Sequence, residues 1–357
     1  GGPHRVGALG AAALAAGYAL LAPADSVPLV LASGVCVGVG FGLFYASIVG
    51  VVDTAVPESG RRAAFAIRHI VNNAGIGLGS VAAGLALHGA DTPAGTLRWL
   101  YLANGLAALP LIAVILGVRP RAGAEAKEAK EAVEPVESVE SVERSGDAQP
   151  SGPGPTYRSL LRARPMALLI LAQALFAIVG FTQIEATVPL LLHDRMAVTL
   201  GWVSVVVAAN SFALIALQPL LRGRLERLPE TVVLAGGPVL WAVAFGCGLG
   251  AALAGEAAPA AVRYGLLLAF AVLFAAGELM YSSAFYPLLL RWSGEEAVGR
   301  ASALASLAWN LGTASGPPLG LFIVAHASAT GSWLALALGA AAAFTVTAAL
   351  YGRTAST

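Results

Sequence analysis

The stretch "MALLILAQALFAIVGFTQIEATVPLLL", residues 166–192, is apolar almost throughout and carries one charged side chain, Glu185. A bilayer core of about 30 Å requires roughly 20 apolar helical residues, so this stretch is long enough to cross a membrane. The whole chain shares its character, with 57% hydrophobic and 11% charged residues and a mean hydropathy of +0.77. Soluble domains carry about 25% charged residues, so the composition indicates a membrane protein.

Windows of similar length and hydropathy recur along the sequence. They are rich in Ala and Leu and do not alternate polar with apolar residues, so they predict helices and not barrel strands. The expected fold is therefore an all-α multi-pass membrane protein. The ten predicted spans are 6–22, 27–52, 63–88, 97–118, 165–192, 199–221, 231–254, 262–291, 300–325 and 331–351.

Basic residues indicate the orientation of these spans. If the N-terminus is cytoplasmic, every Lys and Arg lies on the cytoplasmic side except Arg98, Arg195 and Arg263. Short loops rich in Lys and Arg remain cytoplasmic, so we expect both termini on that side of the cell membrane. The net charge of +1 reflects topology and gives no reason to expect a nucleic-acid partner.

One polar segment divides the chain. Between Glu125 and Glu143, seven glutamates follow one another at intervals of three, and "SGDAQPSGPGP" comes next. This spacing gives no apolar helix face, so we predict a disordered acidic cytoplasmic linker over 119–164, with an acidic docking tail as the alternative. The linker separates an N-terminal bundle, 1–118, from a C-terminal bundle, 165–357.

The two halves resemble each other. Residues 58–79 and 295–316 align without a gap at six identities, which include Asn73 with Asn310 and Gly75 with Gly312. In both halves a charged loop leads into a span with a buried Asn, and one more span follows. The chain therefore reads as two pseudo-symmetric parallel repeats of four and six spans. We expect that two N-terminal spans are missing from a twelve-span protein, and a native ten-span protein is the alternative.

Several segments resemble the major facilitator superfamily, whose members have six plus six helices and a long cytoplasmic linker. "GGPHRV" (1–6) is similar to the end of its signature loop, and "PLLRGRLERLP" (219–229) to the weaker second copy. "GFTQIEATVPLLL" (180–192), "NSFALIALQPLL" (210–221), "GELMYSSAFYPLLL" (277–290) and "GTASGPPLG" (312–320) are similar to bacterial drug/proton antiporters. The resemblance implies a secondary transporter that works by alternating access and exports a small hydrophobic or cationic compound against protons.

The antiporter pattern is incomplete. Ser80 stands where the fifth-helix motif has Pro, Ala83 replaces a closing Gly, and residues 28–52 lack the arginine typical of drug antiporters. An importer or symporter of a small metabolite and a non-transporting membrane scaffold therefore stay open as alternatives.

Two glutamates, Glu185 and Glu278, lie well inside predicted spans. A charge at the bilayer centre costs about 2.5–3.5 kcal/mol, so such residues usually face a cavity or a partner. The resemblance places both on cavity-lining helices, where they would bind substrate or exchange protons; a structural hydrogen-bonding role is the alternative. We expect four further residues around the same cavity: Gln183, Asn210, Tyr45 and Tyr281.

A polar patch at the cytoplasmic end of the 63–88 span predicts a gate. Its members are charged or amide residues close to one loop: Asp53, Arg61, Arg62, Arg68, His69 and Asn73. A proton relay through His69 is the alternative function of this patch. Small residues at intervals of four allow close helix packing in membranes, which predicts packing roles for Gly75, Gly79, Gly312 and Gly316. The same spacing predicts packing for Gly34, Gly38 and Gly42.

Other classes of function find little support in the sequence. The spans hold no pair of aspartates, Ser80 and His88 share one helix, and no "HExxH", Walker or Rossmann motif is present, so we predict no enzyme. Cys36 and Cys247 lie in separate spans and suggest neither a disulfide nor a metal site. We expect no cofactor, and a monomer in the lipid bilayer with a small-molecule substrate and protons as partners.

Overall fold

The computed structural model describes residues 3–88, 93–118, 156–294 and 297–351, and these ranges are helical with short turns. Eleven helices lie in them, of which α6 changes pitch several times along its length. They are α1 (Pro3–Leu21), α2 (Val27–Ala55), α3 (Glu58–Leu87), α4 (Pro93–Gly117), α5 (Tyr157–Arg162), α6 (Arg164–Arg195), α7 (Leu200–Leu225), α8 (Glu230–Ala254), α9 (Ala260–Ser293), α10 (Val298–His326) and α11 (Ala329–Tyr351).

Nine of these helices are long and apolar enough to cross a membrane, judged by length and composition in the described ranges. All ten predicted spans are helical, but α10 is not among the nine although it has 29 residues. Its sequence includes Arg300, Asn310, Pro317 and Pro318, which lower its mean hydropathy. A helix of this kind needs protein neighbours to cover its polar atoms.

The described residues divide into two compact units. One unit contains α1, α2, α4 and α3 up to Val71, and the other contains Asn72–Leu85 of α3 together with α5–α11. The predicted N-terminal bundle, 1–118, contains all of α3, whereas the structure divides this helix between the two units. The predicted linker lies largely outside the described residues, so its predicted disorder stays a prediction.

In the first unit, α1 packs closely on α2 through glycines. A Cβ at Gly10 would lie 2.7 Å from the backbone nitrogen of Phe44, and one at Gly40 would lie 2.8 Å from that of Leu14. The predicted stripe of Gly34, Gly38 and Gly42 is wrong as a packing surface among the described residues, because no neighbouring atom lies within 4 Å of a Cβ placed there. The helices meet on the other face of α2, so periodicity alone selected the wrong glycines.

In the second unit, α6 contains wide π-helical turns at Phe176–Phe181, Gln183–Thr187 and Leu191–Arg195. The Thr182 hydroxyl donates to the carbonyl oxygen of Ala177 at 2.9 Å, and thus satisfies a backbone acceptor at the change of pitch. Pro189 lacks an N–H group, which removes one bond of the regular α-helical ladder. Wide turns of this kind re-aim side chains and occur often at functional sites.

The turn after α6 is fastened to three helices. Arg195 donates from Nε to the Val324 carbonyl and from a terminal nitrogen to the Ala325 carbonyl, both at 2.7 Å, near the end of α10. Arg263 of α9 donates to the carbonyl oxygen of Met196, and the Trp333 indole of α11 lies 3.3 Å from the Met196 sulfur. These contacts hold the end of α6 in place.

Arg195→Gln is therefore expected to destabilise the second unit by about 1–2 kcal/mol, since hydrogen bonds to charged groups contribute about 1.5–3 kcal/mol and Arg195 is exposed. The positive charge also interacts favourably with the C-terminal carbonyls of α10. Thermal unfolding of the purified protein in detergent measures the loss. Arg224→Gln, at an exposed position near the end of α7, is the matched control and should leave the transition unchanged. Equal transitions for both variants would contradict the prediction.

Candidate functional site

A polar pair joins α7 to α9. Asn210 is 5% exposed, and its Nδ2 donates to Glu278 Oε2 at 3.3 Å and to the Ala271 carbonyl oxygen at 3.4 Å. Glu278 is half-buried. The amide thereby fixes the orientation of the carboxyl group. Two residues predicted for the site therefore meet directly.

Glu185 lies on the Gln183–Thr187 wide turn of α6 and is exposed. Glu185 and Glu278 both belong to the second unit. Neither carboxylate has an ion-pair partner among the described residues. An exposed charge within a membrane span is expected to face water or ligand and not hydrocarbon, so the face that bears Glu185 is the candidate binding surface.

Gln183 does not share that surface, which corrects the sequence analysis. It is 2% exposed, and its Nε2 donates to the Ile178 carbonyl oxygen within α6. Its Oε1 lies 2.9 Å from the position that a Cβ of Gly320 would take on α10. Because Gln183 and Glu185 are two residues apart, they point to opposite sides of α6. Gln183 thus belongs to the contact between α6 and α10.

An aromatic pair includes Phe181, which precedes Glu185 by four residues on α6. Phe181, one helical turn before Glu185, is 38% exposed, and its ring centroid is 5.1 Å from that of Trp309 on α10, at an angle of 50° between the rings. Neither residue was predicted for the site from the sequence. The available signal was the spacing of four between an aromatic side chain and an intramembrane carboxylate, which places both on one side of a helix.

The two predicted tyrosines lie in different environments. Tyr281 stacks on Phe176 with ring centroids 3.9 Å apart, and its hydroxyl is buried without a hydrogen-bond partner among the described residues. It therefore packs against the aromatic core of the second unit. Tyr45 belongs to the first unit and is exposed, with the Arg68 guanidinium 5.9 Å from its ring centroid. This distance permits a cation–π interaction.

The structure describes only part of the predicted gate. Arg68 is exposed and contacts Tyr45, whereas Asn73 is buried. The remaining members have side chains outside the described residues: Asp53, Arg61, Arg62 and His69. The gate stays a prediction.

The predicted packing glycines differ between the two halves. A Cβ at Gly312 would lie 2.5 Å from the Ala177 Cβ, and one at Gly316 would lie 2.1 Å from the Thr182 hydroxyl oxygen, so both lie where α10 crosses α6. Among the described residues, nothing approaches within 4 Å of a Cβ at Gly75 or Gly79. That corrects the expectation for the first half.

Two other glycines of α3 make the close contacts. A Cβ at Gly77 would lie 3.0 Å from the ring of Phe212, and one at Gly84 would lie 2.8 Å from the Cβ of Ser204, both on α7. These two glycines are seven residues apart and do not follow the spacing of four that predicted Gly75 and Gly79, so only the position of α7 shows which face of α3 packs.

Comparison with known families identifies the fold. The family model of the Major Facilitator Superfamily matches residues 2–209 and 197–357, which together span nearly the whole chain. The chain belongs to the major facilitator superfamily. This assignment confirms the resemblance and the expected all-α transporter fold. Members of this superfamily are generally membrane carriers, so this member is a multi-pass transporter with a small-molecule substrate.

Solved structures of other superfamily members have the same fold. A crystal structure of the peptide transporter POT in complex with sulfate is 17% identical, with a TM-score of 0.67 over 98% of this chain and 80% of that one. A bacterial homologue of the iron transporter ferroportin, in an inward-facing state, is 15% identical, with a TM-score of 0.68 over 99% and 83%. At identities this low, the structural similarity is evidence only for the fold of this protein. No curated protein sequence matches it.

Proposed function

We propose that this superfamily member is a proton-coupled secondary transporter that exports a small hydrophobic or cationic compound by alternating access. The observation that carries the proposal is the presence of two carboxylates, Glu185 on α6 and Glu278 on α9, in one helical unit and without ion pairs among the described residues. We further propose that it is a monomer in the cell membrane with both termini cytoplasmic.

Charge balance supports coupling to protons. Two ionised carboxylates in the same membrane-spanning unit repel each other, and a proton or a bound cation relieves the repulsion. A cationic substrate and protons would therefore compete for the same two groups. Such competition produces antiport if the carrier changes between its inward-open and outward-open states only when it is loaded with either protons or substrate.

Proton release from inverted membrane vesicles tests this function. In vesicles that are acidified inside, addition of a lipophilic cation should collapse the pH gradient. A fluorescent weak base that accumulates in acidic vesicles reports this change. A symporter would instead move protons and substrate in the same direction. A scaffold would give no flux with any compound, and either result would contradict the proposal.

Glu185→Gln is expected to reduce proton exchange in this assay to the level of vesicles that lack the protein. The amide has nearly the same size but cannot bind and release a proton, while expression should be unaffected because the residue is exposed. Full exchange with unchanged pH dependence would remove Glu185 from the mechanism. Glu256→Gln, in the exposed turn between α8 and α9, serves as the control.

A further inference from the structure

We propose that Phe181 and Trp309 form an aromatic surface that selects substrates with a planar ring attached to a cationic group. This inference rests on the proposed function, since it assigns a substrate class to the site that contains Glu185. It adds two specificity-determining residues to that site.

The position of Phe181 is the first support. Its side chain is 38% exposed, while the neighbouring Thr182 and Gln183 are buried against α10. Phe181 and Glu185 are four residues apart, so they lie on the same side of α6. An exposed phenylalanine by itself is ordinary on a lipid-facing surface. Phe181, however, lies on the same side of α6 as Glu185, whose carboxylate is unfavourable in contact with lipid. The ring of Phe181 is therefore at the binding surface.

Trp309 is the second support. It is half-buried and packs against Phe181 across the contact between α6 and α10. That contact is itself close, because Gly312 follows Trp309 by one turn and lies against Ala177. The tryptophan therefore limits the rotation of the Phe181 ring and leaves part of that ring uncovered. A fixed aromatic face is a suitable platform for a flat ligand.

The chemistry of the two neighbours defines the ligand. Phe181 and Trp309 offer π-faces that attract another ring or a cation, and Glu185 attracts positive charge. Phe181 and Glu185 lie one helical turn apart, so the ligand's ring and its charged centre should be separated by roughly one turn, about 5 Å. A saturated ring of equal size would gain the hydrophobic contact but not the interaction between π-systems.

A matched pair of ligands tests the selection. The probes are 3-phenylpropyltrimethylammonium and 3-cyclohexylpropyltrimethylammonium, which share charge and length and differ in aromaticity. We expect the wild type to bind the phenyl compound more tightly, and Phe181→Leu to weaken that binding about tenfold while changing the cyclohexyl compound by less than about twofold. Isothermal titration calorimetry on the purified protein in detergent measures both.

Further variants separate recognition from packing. Phe181→Tyr retains the ring and should retain the preference, and Trp309→Leu should weaken it if the variant unfolds at the wild-type temperature. Phe344→Leu, at a 40% exposed phenylalanine of α11, is the matched control and should bind both compounds normally. Equal losses for both compounds in Phe181→Leu, or no loss for either, would overturn the inference.

The two proposals fail in different ways. Selective binding that depends on Phe181, without proton exchange in vesicles, would support the aromatic surface and overturn proton coupling. Proton exchange with no discrimination between the phenyl and cyclohexyl compounds would overturn the aromatic surface and leave the transporter proposal intact. Failure of the wild type to bind either cation would overturn this inference, whatever the proton assay shows.

Discussion

Glu278→Gln is expected to abolish proton-coupled transport, to the level of vesicles without the protein. The amide oxygen can still accept the hydrogen bond that Asn210 Nδ2 donates at 3.3 Å, so the contact between α7 and α9 should survive. What is lost is the ability to carry a negative charge and to exchange a proton. The expected phenotype is a folded protein without proton exchange, measured with the dye assay in inverted vesicles.

The control for this variant is Glu226→Gln. Glu226 is exposed at the end of α7 and pairs with Arg222 at 2.8 Å on the surface, where such ion pairs contribute little to stability. It should transport normally. If Glu278→Gln also transports normally with full pH dependence, the Asn210–Glu278 pair is a structural hydrogen bond and not a part of the transport cycle.

Gly180→Ala is expected to destabilise the second unit by about 3 kcal/mol or more, at the upper end of the usual cost of overpacking. The added Cβ would lie 1.9 Å from the Trp241 ring, which is 1% exposed. The ring has no room to retreat, because a Cβ at Gly277 on α9 would also lie 2.5 Å from it and its Nε1 donates to the Phe274 carbonyl at 3.1 Å. Either α6 or the tryptophan must therefore move.

Thermal unfolding in detergent, followed by tryptophan fluorescence, measures this loss. Gly246→Ala on α8 is the matched control, since no atom of the described residues lies within 4 Å of the added Cβ. It should be neutral or slightly stabilising, because Ala favours helix more than Gly does. A Gly180→Ala variant that unfolds at the same temperature as Gly246→Ala would show that the tight fit around Trp241 is not needed.

Much of the fold was predictable because hydropathy acts locally. Each apolar window of sufficient length is helical in the structure, since a backbone within lipid must satisfy its own hydrogen bonds. The ninth window, 300–325, which forms α10, differs from the others in hydropathy. A span was predicted there from its length, although it contains several polar residues. In the structure α10 packs on protein, for example where Gly316 meets Thr182.

The candidate site was predictable in residue type and less so in arrangement. Glu185 and Glu278 could be identified because carboxylates are rare in membrane spans, where a charge is costly unless it faces a cavity or a partner. Gln183 was grouped with them on the basis of polarity alone, and the wide turns of α6 point it to α10 instead. Phe181 was not predicted, because the one signal for it in the sequence is its spacing of four from Glu185, and a phenylalanine in an apolar stretch is otherwise ordinary.

The sequence by itself determined that this protein lies in a membrane, that it is helical, that it resembles a known transporter superfamily, and that two carboxylates require an explanation. The membrane location and the helices follow from composition and local hydropathy, the resemblance follows from short motifs such as "GTASGPPLG" (312–320), and the two carboxylates stand out because charge is rare in the spans. Only the tertiary structure decided that Asn210 meets Glu278, that Gln183 lies away from Glu185, and which glycines pack. Those facts depend on the rotation of each helix about its axis and on the partner it meets, and contacts between distant segments set both.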